Sequence, residues 1–218
     1  MNLYVVVEGD TEKAVYPNWI PLINPSLQYV VHPSLVQANQ FCVVSSMGYP
    51  MFWDVLDNAI DDVNANMSFD KLVTCIDSDE MDLTEKLAEV NEHLKAKPSR
   101  APVSVVVQHF CFETWALGNR KLVRQHPSSE RLKAFKMIHD VRVLDPELLP
   151  SLPERRLTRS QFAEVYLRAA FNDRHRNLTY RKGQAAHIAH PKYLDQLKLR
   201  LEETGHISSF SAFLASFQ

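Results

Sequence analysis

Short apolar runs alternate with amphipathic stretches along the first half of the chain. The apolar runs predict β-strands at residues 3–7, 27–32, 41–45, 71–76 and 103–110. Apolar residues recur at helical spacing between several of these runs, and they predict helices at residues 11–20, near 51–65 and near 83–94. Strands that alternate with helices usually form a parallel sheet. The pattern therefore predicts an α/β fold with a mostly parallel, four- to five-stranded, Rossmann-like sheet and helices on both faces.

Beyond residue 119 the pattern changes to helices that prolines interrupt. Thr158 and Gln161 have the spacing of a capping box and predict a helix from there to about residue 172. Pro191 predicts the start of another helix and Gly205 its end, and Ser208 or Ser209 is a candidate cap for a last short helix. No repeat or low-complexity linker separates this part from the first. We therefore expect an α/β domain at residues 1–119 and a basic helical region at residues 120–218 that packs on it.

The charge of the chain is divided unevenly between these two regions. Residues 1–119 hold 6 Lys and Arg against 16 Asp and Glu, a net of −10, whereas residues 120–200 hold 18 against 8, a net of +10. Such a division arises when two surfaces complement each other electrostatically. It also fits a cation site beside a surface that binds a polyanion.

Several classes of protein are disfavoured by the sequence. No stretch approaches the roughly 20 apolar residues of a membrane helix, and no signal peptide is evident, so we expect a cytoplasmic protein without membrane association. Cys42, Cys75 and Cys111 lie in apolar runs without metal-binding spacing, which predicts buried reduced thiols and disfavours disulfides and zinc. No Walker-type glycine loop is present, which argues against ATP hydrolysis by that route.

Acidic residues follow two of the predicted strands. The stretch VEGDTE places Glu8, Asp10 and Glu12 behind the first strand, and DSDE places Asp77 and Asp79 behind the fourth. Because the carboxyl ends of parallel strands lie at one edge of a sheet, Glu8, Asp77 and Asp79 are expected to converge. Carboxylate oxygens are the ligands that Mg²⁺ and Mn²⁺ prefer, so the sequence predicts a site for such an ion.

These stretches resemble the two signatures of the Toprim domain, the metal-binding module of topoisomerases, DnaG-type primases and the nucleases of the overcoming-lysogenization-defect (OLD) group. VVVEGDTEK matches the glutamate after the first strand, and LVTCIDSDE matches the DxD after a later one. FCFETWALGN resembles the FE-x-W segment of short stand-alone Toprim proteins, OLD-like and RloB-like, that occur in bacterial phage-defence loci. YRKG at residues 180–183 matches their downstream tyrosine–lysine element only weakly. The resemblance covers residues 1 to about 119 well and the remainder poorly.

The resemblance implies a set of metal ligands. Asp77 and Asp79 correspond to the ligands of the DxD, and Glu8 corresponds to a ligand or a general acid/base. Glu12 and Glu113 correspond to further ligands, the latter for a second ion, so one or two Mg²⁺ or Mn²⁺ ions are expected.

The resemblance also implies an activity and partners. The expected protein is a metal-dependent nuclease that cleaves phosphodiester bonds in DNA or RNA, as the effector of an anti-phage system with an ATPase partner. Lys182, with Arg181, is the candidate for holding the phosphate, and the basic region supplies charge for nucleic-acid binding. A homo-oligomer is compatible with these expectations.

Other interpretations of the same residues remain open at this point. Glu12 is equally explained as a first-turn acid that faces the helix dipole, Glu113 as the partner of an arginine, and Asp10 as the cap of the first helix. His109 is a candidate for a contact to a ligand or phosphate beside the site, although a partly buried structural histidine is commoner.

Two other functions are open as well. One is a Toprim-like module that binds nucleic acid or a partner without cleavage. The other is a nucleotide-sugar transferase whose DxD holds Mn²⁺ on a diphosphate, but this function gives no reason for Glu8.

Overall fold

The centre of the molecule is a five-stranded parallel sheet. A computed structural model of the chain describes residues 1–174 and 179–218. The strands are β1 (Leu3–Val7), β2 (Gln28–Tyr29), β3 (Gln40–Ser45), β4 (Lys71–Asp77) and β5 (Val103–Gln108). Their order across the sheet is β2-β3-β1-β4-β5, and every neighbouring pair is parallel. The predicted α/β fold with a parallel sheet is therefore confirmed. The edge strand β2 is shorter than the predicted run at residues 27–32.

Helices connect the strands and form most of the C-terminal region. They are α1 (Asp10–Ile23), α2 (Met51–Ala65), α3 (Leu83–Ala96), α4 (Phe112–Ala116), α5 (Glu130–Ile138), α6 (Arg159–Arg174), α7 (Ala186–Ala189), α8 (Pro191–Thr204) and α9 (Phe210–Ser216). Short 3₁₀ turns occur at Pro33–Leu35, Pro146–Leu148 and Pro153–Arg155. In the part of the chain that the structure describes, no helix is long and apolar enough to cross a membrane.

The two faces of the sheet belong to two hydrophobic cores. Because side chains alternate along a strand, Val5 and Val7 lie in the core that α1 covers, whereas Tyr4 and Val6 lie in the core that α2 and α3 cover. Helices therefore cover both faces, as the sequence predicted. The three cysteines are buried and free.

The C-terminal region packs on the α1 face of the sheet. Trp19 of α1 and Trp115 of α4 contact Phe210 and Phe213 of α9 through their rings. The Trp19 Nε1–H also donates to the carbonyl oxygen of Ile188 at 3.0 Å. One continuous hydrophobic core includes residues from both regions. The change at residue 119 is thus a change in charge rather than a break in the core.

Most of the predicted helix ends in this region are confirmed. Thr158 and Gln161 form the reciprocal capping box of α6, with bonds of 3.1 and 3.2 Å. Helix α8 begins at Pro191, and Gly205 follows its end with a left-handed φ of +68°. Ser209 occupies the cap position of α9, as predicted, but its hydroxyl makes no capping bond and instead donates to Glu147 and accepts from the Trp115 Nε1–H.

The order of the strands creates a crevice between β1 and β4. The chain leaves β1 toward β2 and β3 on one side of the sheet, and it leaves β4 toward β5 on the other. Adjacent parallel strands whose connections diverge in this way leave an opening at their carboxyl ends, where ligands of α/β proteins usually bind. Both predicted acidic stretches follow these two strands.

Candidate functional site

A pocket of about 260 Å³ opens at the carboxyl ends of β1 and β4. Six parts of the chain contribute to it: the turn after β1, the start of α1, the β3–α2 loop, the end of β4, the start of α4 and the turn that carries Lys182. Its lining consists of Glu8, Gly9, Asp10, Thr11, Glu12, Met47, Gly48, Asp77, Phe112, Glu113 and Lys182. Four of the five predicted metal ligands and the predicted phosphate-binding lysine thus lie in one pocket.

Glu8 and Asp77 meet because β1 and β4 are neighbours in register. Val7 pairs with Cys75, which places Glu8 level with Ile76, one position before Asp77 at the end of β4. The backbone N–H of Asp77 donates to Oε2 of Glu8 at 3.1 Å. The expected convergence of these two carboxylates is therefore observed.

Glu12 is turned back from the first turn of α1 toward the sheet and is only 3% exposed. Gly9 leaves the space that this conformation needs, since a Cβ atom at Gly9 would lie 2.8 Å from Oε2 of Glu12. A residue with a Cβ atom at position 9 would clash with Glu12, which explains the glycine of the EGDTE stretch. Burial of Glu12 among other carboxylates goes beyond the simple interaction of an exposed acid with a helix dipole.

Asp10 is not the cap of α1, contrary to the sequence-based interpretation. Gly9 occupies the cap position and Asp10 is the first residue of the helix, without a side-chain capping bond. The Asp10 carboxylate instead accepts a hydrogen bond of 3.0 Å from the Ser45 hydroxyl at the end of β3. It therefore ties the start of α1 to a neighbouring strand.

Gln108 is the main polar residue of the site that the sequence analysis missed. It is fully buried at the end of β5 and pairs in register with Asp77. Its Nε2 group donates to Oδ1 of Asp77 at 2.6 Å and to Oε1 of Glu12 at 3.0 Å. The hydroxyl of Tyr16 donates to its Oε1 atom. The only sequence signal was a polar residue that ends an apolar strand, which is too common to single it out.

Burial and mutual repulsion make the ionised form of these carboxylates unfavourable. Burial is the main cause that raises the pKa of Glu12 to about 7, although its hydrogen bonds to Gln108 and to its own backbone N–H oppose the shift. The pKa of Asp77 is raised well above its ordinary value by burial and then by the charges of Glu12 and Glu8. Burial also raises the pKa of Glu8. Positive charge placed in the pocket would relieve this strain.

Glu113, which is 2% exposed, is held by a chain of hydrogen bonds from the YRKG turn. The Tyr180 hydroxyl donates to Oε1 of Glu113 at 2.6 Å and lies 3.3 Å from the hydroxyl oxygen of Thr11. The backbone N–H of Gly183, a residue with φ of +75°, donates to the same Thr11 oxygen at 3.1 Å. These contacts fix the turn against the start of α1. The weakly matching YRKG element thus lies directly beside the pocket.

The same turn presents Lys182 to the pocket. Its Nζ atom lies 4.0 Å from Oε1 of Glu113 and 3.9 Å from Oε2 of Glu164, and the side chain is 62% exposed. The Glu113 carboxylate is the main cause that raises the pKa of Lys182 above its usual value. Lys182 is therefore a charged, solvent-accessible group at the mouth of an acidic pocket.

Asp79 does not line the pocket, although its role as a ligand was expected from the DxD. Its side chain is exposed, and its Oδ1 atom accepts from the Ser160 hydroxyl at 3.3 Å. The backbone of Asp79 has a φ of +50°, and its N–H donates to the carbonyl oxygen of Phe110. The loop turns sharply after Asp77, and the second aspartate therefore faces the start of α6.

The remaining candidates lie beside the pocket or in the core. His109 is half-buried and borders a separate groove that also contains Glu80, Asp82 and Arg159. Trp115, the tryptophan of the FCFETWALGN stretch, is fully buried in the core.

The side chains of the pocket offer the type of atom and the charge that a hard divalent cation requires. Glu8, Glu12, Asp77 and Glu113 offer oxygen atoms, which Mg²⁺ and Mn²⁺ prefer. Burial and the neighbouring carboxylates raise the pKa values of Glu12 and Asp77, so a positive ion placed beside them would be stabilised. Among residues 1–174 and 179–218, however, no three His, Cys, Asp or Glu side chains are already arranged to hold an ion. Binding would therefore require at least one of the carboxylates to move toward the others.

The fold and the site together define an α/β protein with an acidic pocket at the switch point of a parallel sheet. The chain belongs to the family described as Domain of unknown function (DUF4276), whose model matches residues 7–192. The matched part includes every strand end and turn that contributes to the pocket. Neither a curated protein nor a solved structure matches the chain.

Proposed function

We propose that the protein is a Mg²⁺- or Mn²⁺-dependent nuclease that cleaves phosphodiester bonds in DNA or RNA. The observation that carries this proposal is the convergence of Glu8, Glu12, Asp77 and Glu113 with Lys182 in one pocket. Acidic side chains alone would only bind a cation, and a lysine alone would only bind an anion. Their combination suits a phosphodiester bridged to a metal ion.

The residues of the pocket have different duties in this proposal. Glu8 and Asp77 hold the ion, with Glu12 and Glu113 as the nearest additional carboxylates. The ion supplies Lewis-acid polarisation of the phosphate and a water of lowered pKa. Lys182 holds a non-bridging phosphate oxygen, and its side chain is exposed enough for a substrate to reach the ammonium group.

The resemblance to stand-alone Toprim proteins extends the proposal to a biological setting. The protein acts in the cytoplasm as the effector of an anti-phage system, together with an ATPase partner that delivers or senses the target. The positive charge of residues 120–200 supports binding to a nucleic-acid backbone, although Arg200 is fully buried and does not contribute to the surface. A homo-oligomeric state stays a prediction.

A module that binds nucleic acid without cleaving it is the second candidate. One finding favours it: among the residues that the structure describes, no three His, Cys, Asp or Glu side chains are arranged to hold an ion. The nucleotide-sugar transferase is less supported, because a DxD that grips one diphosphate needs both aspartates in the pocket and Asp79 lies outside it.

The test of the nuclease is cleavage of plasmid, single-stranded DNA and tRNA with Mg²⁺, Mn²⁺ or a chelator. We expect metal-dependent cleavage by the wild type and a loss of at least about 100-fold in Asp77→Asn and Glu8→Gln, since removal of a charge-stabilising group has effects of this size. Asp54→Asn is the matched control, because Asp54 is an exposed carboxylate of α2 outside the pocket.

Two outcomes would contradict the nuclease. If the wild type binds nucleic acid but never cleaves it, even with its ATPase partner, the non-cleaving module is the better description. If cleavage persists in both Asp77→Asn and Glu8→Gln, the activity does not come from this pocket.

A further inference from the structure

We infer that Gln108 is a positioning residue that orients the carboxylates of Asp77 and Glu12 toward a bound cation. The inference rests on the proposed function, because it concerns the same pocket. It goes further by assigning a duty to a residue that does not itself line the pocket.

Gln108 is placed where it can reach both carboxylates at once. It ends β5 directly opposite Asp77 of β4, so the two side chains project from the same face of the sheet. The first turn of α1 brings Glu12 onto that face from above. The two distances from Nε2, 2.6 Å to Asp77 and 3.0 Å to Glu12, engage both hydrogens of the amide group.

Tyr16 determines which end of the Gln108 amide faces the carboxylates. It lies four residues after Glu12, on the same side of α1, and is fully buried. Its hydroxyl donates to Oε1 of Gln108. If the amide were turned over, its oxygen would face two carboxylates and would be repelled by both. The amide is therefore locked with its donor group toward the acids.

The consequence for the acids is a fixed orientation. Oδ1 is the Asp77 oxygen that accepts this bond, which leaves Oδ2 for the pocket. Glu12 likewise uses Oε1 on Gln108, and its Oε2 lies toward Gly9 at the pocket wall. One amide thus holds two side chains from different elements, so that their remaining oxygens are available to an ion.

The chemistry of an amide explains why a glutamine suits this position. A lysine or arginine would also hold the two acids, but its charge would neutralise them and compete with a cation. A neutral donor fixes the geometry without adding a positive charge that would compete with the ion.

The experiment titrates Mn²⁺ alone into the purified full chain by calorimetry, with thermal unfolding measured in parallel. Gln108→Met keeps a side chain of similar length but removes the donor, and Tyr16→Phe removes only the hydroxyl that fixes the amide. We expect at least about tenfold weaker Mn²⁺ binding in Gln108→Met, as is typical for the loss of a group that orients a metal ligand. A smaller loss, about threefold, is expected in Tyr16→Phe. Gln125→Met, at an exposed glutamine, is the control and should bind as the wild type does.

The outcomes separate this inference from the proposed function. If a folded Gln108→Met binds Mn²⁺ as tightly as the wild type, Gln108 has a structural role only and the inference is overturned while the metal site stands. If Gln108→Met does not fold, unchanged affinity in Tyr16→Phe overturns it instead. If the wild type itself does not bind Mn²⁺, the proposed metal site fails and the inference falls with it.

Discussion

The carboxylates on the two sides of the pocket have different polar neighbours. On the sheet side, Glu8, Glu12 and Asp77 accept hydrogen bonds from neutral donors, namely an amide group and backbone N–H groups. On the opposite side, Glu113 has a lysine 4.0 Å away, Lys182, besides its bond from a tyrosine hydroxyl. The donors on the first side therefore supply no positive charge to its carboxylates, whereas the second side places an ammonium group beside its own. The difference suggests that a cation binds on the sheet side and the phosphate at the lysine.

The residues of the sheet side come from short local stretches of the sequence, whereas those of the opposite side lie far apart along the chain. The sheet side comes from strand ends and one turn of helix, where apolar runs followed by acids are visible in the sequence. The opposite side requires a turn that lies more than 60 residues after Glu113 to fold back on the start of α1, through Tyr180 and Gly183. Local patterns contain no information about such a long-range contact.

Removal of Lys182 from the second side of the pocket should have a large effect on cleavage. Lys182→Ala should lower the cleavage rate by about 100-fold, since it removes a charge that stabilises the phosphate, and it should leave the Mn²⁺ affinity measured by calorimetry unchanged or stronger. The neighbouring Arg181→Ala is the control, because Arg181 is exposed and does not line the pocket. Equal activity of the two variants would contradict the assignment of the phosphate to Lys182.

A second test removes a charge from the sheet side and follows stability against pH. Because the pKa of Glu12 is raised from 4.5 to about 7 in the folded protein, Glu12 destabilises the fold increasingly as the pH rises from 4.5 to 7, and the full cost is present above pH 7. Glu12→Gln should therefore unfold later than the wild type at pH 8, with a gain of about 2 kcal/mol. This gain lies below the roughly 3 kcal/mol to which such a shift corresponds.

The difference in stability between Glu12→Gln and the wild type should depend on pH. The advantage of Glu12→Gln should shrink as the pH falls from 7 toward 4.5, because the unfolded wild type then also binds the proton and the difference between its folded and unfolded states disappears. Thermal unfolding of both proteins across this range is the measurement. A variant that is less stable at pH 8, or a difference that does not change with pH, would show that Glu12 is not held in strained, ionised form.

Most of the fold and the sheet side of the site could be predicted from the sequence. The apolar runs indicated the strands, and the rule that parallel strands end at one edge brought Glu8 and Asp77 together. The interpretations of Asp10 and Asp79 rested on sequence spacing, but backbone direction decided both. Asp10 turns toward Ser45 instead of capping its helix, and a positive φ at Asp79 turns its side chain toward Ser160. Gln108 could not be predicted because its role depends on register between strands.

The smallest expected effect comes from the second aspartate of the DxD. Asp79→Asn should change the metal-dependent cleavage rate by less than about threefold, whereas Asp77→Asn should abolish cleavage. The reason is that the Asp79 side chain is exposed, accepts a hydrogen bond from Ser160 and does not line the pocket. Only a long-range electrostatic effect on Glu8 is expected, since the charge of Asp79 contributes to the raised pKa of Glu8. The measurement is the initial rate of both variants at saturating Mn²⁺. Equal losses would mean that the loop after β4 rearranges when the ion binds and that both aspartates become ligands, as the resemblance to Toprim domains implies.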